Sequence, residues 1–266
     1  MAKPGSIRVG VGGWTFEPWR GPFYPAKHPH KDELAYASRK VTSVEINGTY
    51  YGAQKPETFA KWHAETPENF VFSVKAPRYA TNRKVLADAG KTIERFLGGG
   101  VMALKDKLGP INWQFMPTKK FDPADFEAFL KLLPDSRDGR ALRHVVEVRH
   151  ASFCVPEFID LARHYGVAIV AAFDSEYPLI PDATAPFVYA RLMGTKVGEP
   201  LGYPEAAFKL WAERARQWSK GQVPRGLKPV GKPATKAAQR DVYPYVISGH
   251  KESNPAAAMA LIEALV

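Results

Sequence analysis

The chain has 266 residues, 45% of them hydrophobic, which is enough for a large core and lies within the size range of one α/β barrel. Its formal net charge of +10 favours anionic partners such as phosphorylated metabolites or nucleic acid. Neither an apolar signal region at the N-terminus nor an apolar run of about 18 residues is present, so we expect no membrane partner. The single cysteine, Cys154, excludes an internal disulfide and predicts a cytoplasmic location.

Runs of strand-like residues alternate with helical patterns along the chain. Strands are predicted at residues 7–14, 41–47, 70–76, 110–115, 145–149, 167–173, 187–192 and 241–247. Helices are predicted at residues 31–39, 56–65, 91–107, 156–164, 204–218 and 254–265, and a further helix begins with Asp122 as its N-cap. Strands and helices that alternate in this way form right-handed βαβ units with parallel strands. The pattern therefore predicts a single (β/α)8 TIM-type barrel of the α/β class over residues 1–266.

A basic tract rich in glycine and proline lies at about residues 220–240. No acidic residue occurs between Glu213 and Asp241. Because the tract follows a helix and precedes a strand, it belongs to the face of the barrel opposite the active site. We expect a flexible, solvated insertion, which would contact nucleic acid only through backbone phosphates.

Polar side chains are concentrated where the predicted strands end. Catalytic groups of such barrels lie at the C-terminal ends of the strands. Glu45 and Asn47 end the second strand, and Glu147 and Arg149 end the fifth; within each pair, alternation sends both side chains to one side. The other strand ends add Trp14, Lys75, Gln114, His150, Asp174, Arg191 and His250. These residues predict a site at the C-terminal mouth of the barrel.

Several short motifs in the same order resemble the DUF72 (YecE-like) family. They are Gly12-Gly13-Trp14, the Val-Glu-Ile-Asn-Gly-Thr-Tyr-Tyr of residues 44–51, the Phe-Ser-Val-Lys-Ala of residues 72–76, the Glu-Val-Arg-His of residues 147–150, and residues 185–192. The resemblance covers almost the whole chain and implies a TIM-type barrel of unestablished biochemical function. It also implies, as an analogy of fold, a relation to sugar isomerases and endonuclease IV-like barrels.

The chain departs from this family at two strand ends. The family usually has Arg-x-His-Gly after strand seven, whereas Met193 follows Arg191 and Leu192 here. The last strand usually ends in paired asparagines, whereas here it ends in Ser248-Gly249-His250. Both departures lie on the predicted active face, so a chemistry shared by the family would be altered or lost in this chain.

The two glutamates have three possible roles. Glu45 and Glu147 can act as general acid and base, or they can hold a divalent cation together with His150 and Asp174. In the structural alternative they form an ion network, with Glu45 paired to Lys75 and Glu147 paired to Arg149 or Arg191. We favour a functional role; the metal stays unknown because the sequence contains no tight ligand motif.

The remaining mouth residues suit ligand binding. Lys75, Arg149 and Arg191 would stabilise negative charge on a phosphate or carboxylate. Asn47, Gln114 and His150 would orient the ligand, and Trp14 is the aromatic side chain closest to a strand end. The loops at 194–198 and 248–251, the second of which contains His250, occupy the usual phosphate-binding location of such barrels.

Three functions are consistent with these residues. The first is an enzyme, isomerase-like or hydrolase-like, that uses its carboxylates on a small anionic or sugar-like substrate. The second is a barrel that binds or processes nucleic acid, which we favour less because the basic tract lies on the wrong face. The third is a ligand-binding protein without catalysis, suggested by the two departures.

Overall fold

Eight parallel strands close into a barrel in sequential order. The structure is a computed structural model that describes residues 5–233 and 238–266. The strands are β1 (Gly10–Gly12), β2 (Ser43–Ile46), β3 (Val71–Lys75), β4 (Leu108–Gln114), β5 (Arg143–Glu147), β6 (Ala168–Phe173), β7 (Phe187–Leu192) and β8 (Asp241–Val246). β1 pairs with both β2 and β8, which closes the sheet. The predicted (β/α)8 barrel is confirmed.

Helices surround the strands. They are α1 (Glu33–Ala37), α2 (Pro56–Glu65), α3 (Gly90–Gly98), α4 (Pro123–Leu130), α5 (Pro156–His164), α6 (Glu205–Ser219) and α7 (Asn254–Leu265), and single helical turns are present at Gly48–Tyr51 and Arg78–Thr81. The carboxylate of Asp122 accepts a hydrogen bond from the Asp125 backbone N–H, as expected for an N-cap, and starts α4. No helix in the described part of the chain is long and apolar enough to cross a membrane.

Two predicted elements need correction, and one element was missed. The predicted helix 91–107 is divided, because α3 ends at Gly98 and a 3-10 helix, Val101–Lys107, follows. Between them Gly100 has φ +106°, and an added Cβ there would lie 2.6 Å from Pro56 Cα, so a glycine is needed. The first strand is shorter than predicted, since Gly13 has φ +73° and leaves the extended region. A two-stranded hairpin at residues 136–141 was not predicted.

Side chains fill the barrel interior below the mouth. Tyr189 and Tyr245 are fully buried there, and their ring centroids are 4.9 Å apart. Each hydroxyl has a partner: Ser43 Oγ lies 2.7 Å from the Tyr245 hydroxyl, and Ser73 Oγ lies 3.0 Å from the Tyr189 hydroxyl. The interior is a packed core in which both tyrosine hydroxyls are hydrogen-bonded, so a ligand can enter only from above it.

The described part of the basic tract lies against the barrel. The Asp182 carboxylate accepts hydrogen bonds from the backbone N–H groups of Val230 and Gly231, at 2.8 and 2.9 Å. Arg240 is 7% exposed and donates to the Ala185 carbonyl, just before β7 begins. The tract therefore lies at the amino-terminal face, as predicted, but these contacts argue against a free solvated insertion. Lys236, one of its basic residues, lies outside the described residues.

Aromatic rings join β4 to the outer helices. Phe126 of α4 is 1% exposed, and its ring centroid lies 5.1 Å from Phe115, 5.3 Å from Phe153 and 5.5 Å from Phe158. Edge-to-face and tilted contacts of this kind stabilise a core beyond the area that they bury. This cluster fixes α4 and α5 against the barrel wall.

Replacing Phe126 tests this packing. Phe126→Ala should lower the free energy of unfolding by about 3–5 kcal/mol, because it opens a cavity that rigid neighbours cannot fill. Leu210→Ala is the control, since Leu210 is 42% exposed on α6, and it should change stability by about 0.5 kcal/mol or less. Urea unfolding followed by circular dichroism measures both. Equal effects of the two variants would contradict the packing described.

Candidate functional site

A buried ion network lies at the carboxyl ends of three strands. Arg191 of β7 lies between Glu45 of β2 and Glu147 of β5, and the three residues are 3%, 0% and 1% exposed. Arg191 Nη2 lies 2.9 Å from Glu45 Oε1. Its Nη1 lies 2.9 and 2.8 Å from the two carboxylate oxygens of Glu147. One guanidinium therefore pairs with both carboxylates.

Other donors satisfy the remaining carboxylate oxygens. The Tyr189 hydroxyl donates to Glu45 Oε2. Asn112 Nδ2 lies 3.4 Å from Glu45 Oε2 and 3.2 Å from Glu147 Oε2, and so bridges the two carboxylates. Arg149 Nε donates to Glu147 Oε1 at 2.8 Å. Buried charges persist only when they are paired, which explains why polar groups from several strands meet here.

The network determines the protonation state of Glu147. Burial alone would raise the pKa of Glu147, but Arg191 and Arg149 outweigh it and lower the pKa to about 2. Burial would lower the pKa of Arg191, yet Glu147 and Glu45 raise it above its ordinary value. Glu147 is thus ionised at neutral pH, and as so weak a base it is poorly suited to proton transfer. Its surroundings favour the role of counter-ion.

Above the network lies a cavity of about 320 Å³ that opens at the barrel mouth. It is lined by Gly12, Asn47, Tyr51, Lys75, Gln114, Arg149, Arg191, Ile247, Ser248, Lys251 and Asn254. Among these described residues are four cations and no carboxylate. Three uncharged amides and the hydroxyls of Tyr51 and Ser248 supply further hydrogen-bonding groups. The mouth is therefore a cationic cavity above two neutralised glutamates.

Lys75 is the most unusual of the four cations. It is 7% exposed, donates to Gln114 Oε1 and has its Nζ 4.6 Å from the centre of the Tyr50 ring. The expected ion pair between Lys75 and Glu45 does not form, because Arg191 and Tyr189 take the Glu45 oxygens. Burial, with Arg191 as the next cause, lowers the pKa of Lys75 to about 8. The Lys75 side chain therefore titrates near physiological pH.

Arg149 and Lys251 are held by aromatic rings. The Arg149 guanidinium lies 4.3 Å from the centre of the Tyr177 ring and donates to the Tyr177 hydroxyl at 3.2 Å. Lys251 Nζ lies 4.0 Å from the centre of the Phe16 ring. Cation–π contacts position a charge without neutralising it. Lys251 has no carboxylate partner in the described part of the chain, so its charge is available to a ligand, whereas Arg149 also pairs with Glu147.

Besides the two buried glutamates, four predicted site residues do not line the cavity. His150 Nδ1 accepts a hydrogen bond from the Ser152 backbone N–H at 3.1 Å and caps a turn. Asp174, at φ +54°, accepts from the Tyr203 hydroxyl at 3.2 Å and lines a separate outer cavity. His250 Nδ1 lies 2.9 Å from Ser253 Oγ. Trp14 packs edge-to-face on Trp62, with ring centroids 5.0 Å apart.

A divalent metal does not fit the predicted ligand set. The oxygens of Glu45 and Glu147 are taken by Arg191, Arg149 and uncharged donors. His150 and Asp174 bond to other groups and lie outside the cavity. In residues 5–233 and 238–266, no group of three or more His, Cys, Asp or Glu side chains could hold an ion. We therefore derive no chemistry from a metal.

Sequence reasoning did not include two of the lining residues, Asn254 and Ile247, among the candidate site residues. Asn254 begins α7, directly after the loop that was predicted to bind phosphate, and its Oδ1 accepts from Thr195 Oγ1 at 2.8 Å. Of the departures from the family pattern, Ser248 lines the cavity and has φ +67°, whereas Met193 is 8% exposed and lies outside it.

Comparisons with known proteins agree with this architecture. The model of the family described as "Protein of unknown function DUF72" matches residues 8–266, so the chain belongs to this family. The protein YecE of Escherichia coli is 30% identical over 116 residues, which are 44% of this chain and 41% of YecE. The match thus spans less than half of the length of that relative.

Two solved structures share the fold. A DUF72 family protein from Thermotoga maritima has a TM-score of 0.73 and 21% identity, with 98% of this chain and 99% of that chain covered. A DUF72 family protein from Enterococcus faecalis has a TM-score of 0.71 and 17% identity, with 98% of each chain covered. At these identities the likeness shows the barrel architecture.

Removal of Arg191 should destabilise the barrel strongly. Arg191→Met leaves two buried carboxylates without their shared partner, which should lower the free energy of unfolding by about 3–5 kcal/mol at pH 7. Arg137→Met is the matched control, because Arg137 pairs with the exposed Glu94 at the surface and should cost about 1 kcal/mol or less. Chemical denaturation measures both, and a loss no larger than the control's would refute the network.

Acid should weaken the barrel through Glu147. Its pKa is lower in the folded chain, about 2 against 4.5, so its contribution to stability is complete above the unfolded pKa and is lost as the pH falls towards 2. From pH 5 to pH 3 the wild type should lose about 2 kcal/mol more unfolding free energy than Glu147→Gln, which lacks the titrating group. Urea denaturation at both pH values measures the difference. Equal losses of unfolding free energy in the wild type and in Glu147→Gln would show that Glu147 has its ordinary pKa in the folded chain.

Proposed function

We propose that this barrel binds a small anionic metabolite, with a phosphate or carboxylate group, at its C-terminal mouth. The observation that carries the proposal is the cavity lined by four cations and no carboxylate among its described residues. The acidic residues nearest to it, Glu45 and Glu147, lie buried beneath and face Arg191. We retain the prediction of a cytoplasmic location for this activity.

The charge balance supports an anionic ligand. With Lys75 protonated, the four cations exceed the two glutamates by two positive charges. In a cavity with low-dielectric walls such an excess concentrates anions and strengthens each hydrogen bond to them. Lys75 ends β3, Arg149 follows β5 and Lys251 follows β8, so three separate parts of the chain bring cations that can surround one anionic group. The volume suits a small metabolite.

In the enzyme hypothesis, the residue that transfers protons is Lys75 rather than Glu45 or Glu147. General acid–base catalysis by Glu147 requires a proton that this carboxylate does not hold at neutral pH. Lys75 has a pKa near 8 because it is buried and lies close to Arg191. If the mouth catalyses a reaction, we therefore assign the proton-transfer role to Lys75 rather than to the glutamates. This proposal includes both isomerisation and hydrolysis as reaction types.

Nucleic acid is the second candidate ligand, and a neighbouring cavity favours it. This cavity of about 510 Å³ shares Tyr51 with the mouth and includes Tyr79. The two tyrosines are 67% and 59% exposed, and Arg83, Lys91 and Arg95 lie along the same cavity. Exposed aromatic rings beside cations can stack bases and hold phosphates of a single strand.

Calorimetry with inorganic phosphate tests the first candidate. The wild type should bind phosphate, and Lys251→Gln should weaken binding about tenfold, since it removes one charge-assisted contact outside the buried network. Arg140→Gln removes an exposed cation from the hairpin that precedes β5 at the other end of the barrel, and it should leave the affinity unchanged. Loss of affinity in both variants would indicate a general charge effect and contradict a specific site.

Salt titration separates the second candidate. Binding of single-stranded DNA or RNA should weaken steeply with salt if several phosphates are contacted. The proposal of a small-metabolite site predicts that Tyr79→Ala does not alter phosphate binding. Tight oligonucleotide binding that depends on Tyr79, together with no binding of free phosphate, would favour nucleic acid instead.

A further inference from the structure

Lys75 has surroundings that the proposed anion site does not require. It ends β3, faces the mouth cavity and is 7% exposed. Its Nζ contacts an amide oxygen of Gln114 and the face of the Tyr50 ring, and it forms no ion pair with a carboxylate of the described residues. Arg191, beside it, holds both glutamates. A lysine that served only to attract anions would not need such burial.

We propose that Lys75 is a nucleophilic amine that forms an imine with the carbonyl carbon of an anionic aldehyde or ketone bound at the mouth. The inference rests on the proposed function for the ligand's anionic group. It adds the reactive class of that ligand, a small carbonyl compound with a phosphate or carboxylate. It also adds a covalent step at Nζ.

The neutral form of the amine is the nucleophile, and this cavity favours it. Burial, followed by the charge of Arg191, lowers the pKa of Lys75 to about 8. Compared with an ordinary lysine, the neutral fraction at neutral pH rises by about two orders of magnitude. Desolvation and a neighbouring cation are the two recognised ways to activate a lysine for imine formation. Both are present at this residue.

The step balances without an oxidant or a reductant. The Nζ lone pair attacks the carbonyl carbon, a C–N bond forms, and one proton passes from nitrogen to the former carbonyl oxygen. The resulting carbinolamine takes a second proton from solvent and loses water, which leaves a protonated imine. The protonated imine carries the same single positive charge as the ammonium group that it replaces. The total charge next to the ion network is therefore unchanged.

The remaining lining groups can hold the other end of the substrate. Lys251 packs on the Phe16 ring, and Arg149, which also pairs with Glu147, packs on the Tyr177 ring. Gln114 Oε1 accepts from Lys75 Nζ and so fixes the direction of the amine. A short substrate with its carbonyl one or two bonds from its anionic group would therefore reach Lys75 while the anion lies between the cations.

Borohydride trapping tests the inference. The full chain is incubated with glycolaldehyde phosphate or with uncharged glycolaldehyde, reduced with sodium borohydride, digested and analysed by mass spectrometry. We expect a reduced adduct on Lys75, formed at least tenfold faster with the phosphate compound. Lys75→Arg keeps the positive charge but lacks a nucleophilic amine, and it should form no adduct at position 75. Lys75→Met with an unchanged circular dichroism spectrum serves as a second variant.

The outcomes distinguish the two proposals. Phosphate binding without a Lys75 adduct, or with adducts spread evenly over exposed lysines such as Lys209, overturns the imine and leaves the anion site. Rapid trapping of glycolaldehyde at Lys75 without phosphate binding supports the nucleophile and overturns the anion site. If neither aldehyde forms an adduct, the inference is overturned.

Discussion

The sharing of Arg191 between two buried carboxylates is the interaction on which the mouth of this barrel depends. Each glutamate alone would be a buried charge that costs several kcal/mol to remove from water. Arg191 joins β2 and β5 to β7 through Glu45 and Glu147, and Asn112 of β4 bridges the same carboxylates. Four strand ends are thereby fixed relative to one another, and the floor of the cavity is rigid.

This arrangement also determines what the cavity can attract. Because Arg191 and Arg149 together neutralise the two glutamates, the other two mouth cations, Lys75 and Lys251, have no carboxylate partner among the described residues. Arg149 shares Glu147, whereas Lys75 has an amide and an aromatic ring. The same pairing that stabilises the fold therefore leaves positive charge at the mouth and a lysine with a low pKa. The ion network thus both stabilises the barrel and determines the charge of the cavity.

The barrel and the location of its site could be predicted from the sequence, but the pairing could not. Alternating strands and helices imply eight βα units, and strand ends imply the mouth. Arg191 of β7 extends across the barrel to Glu45 of β2, although the two strands are not neighbours. It therefore takes the place that the sequence suggested for Lys75. Asp174 stands at a strand end, yet its left-handed backbone turns it towards Tyr203. The break at Gly98–Gly100 was visible as three consecutive glycines.

Titration of the Lys75 ammonium group by nuclear magnetic resonance tests the central claim most directly. The signal is assigned by its loss in Lys75→Met and followed with and without saturating phosphate. We predict a pKa near 8 in the free protein, because the amine is buried beside Arg191, and a higher pKa with phosphate, because a bound anion stabilises the ammonium form. An ordinary lysine pKa that phosphate does not change would contradict both the cationic cavity and the anion site.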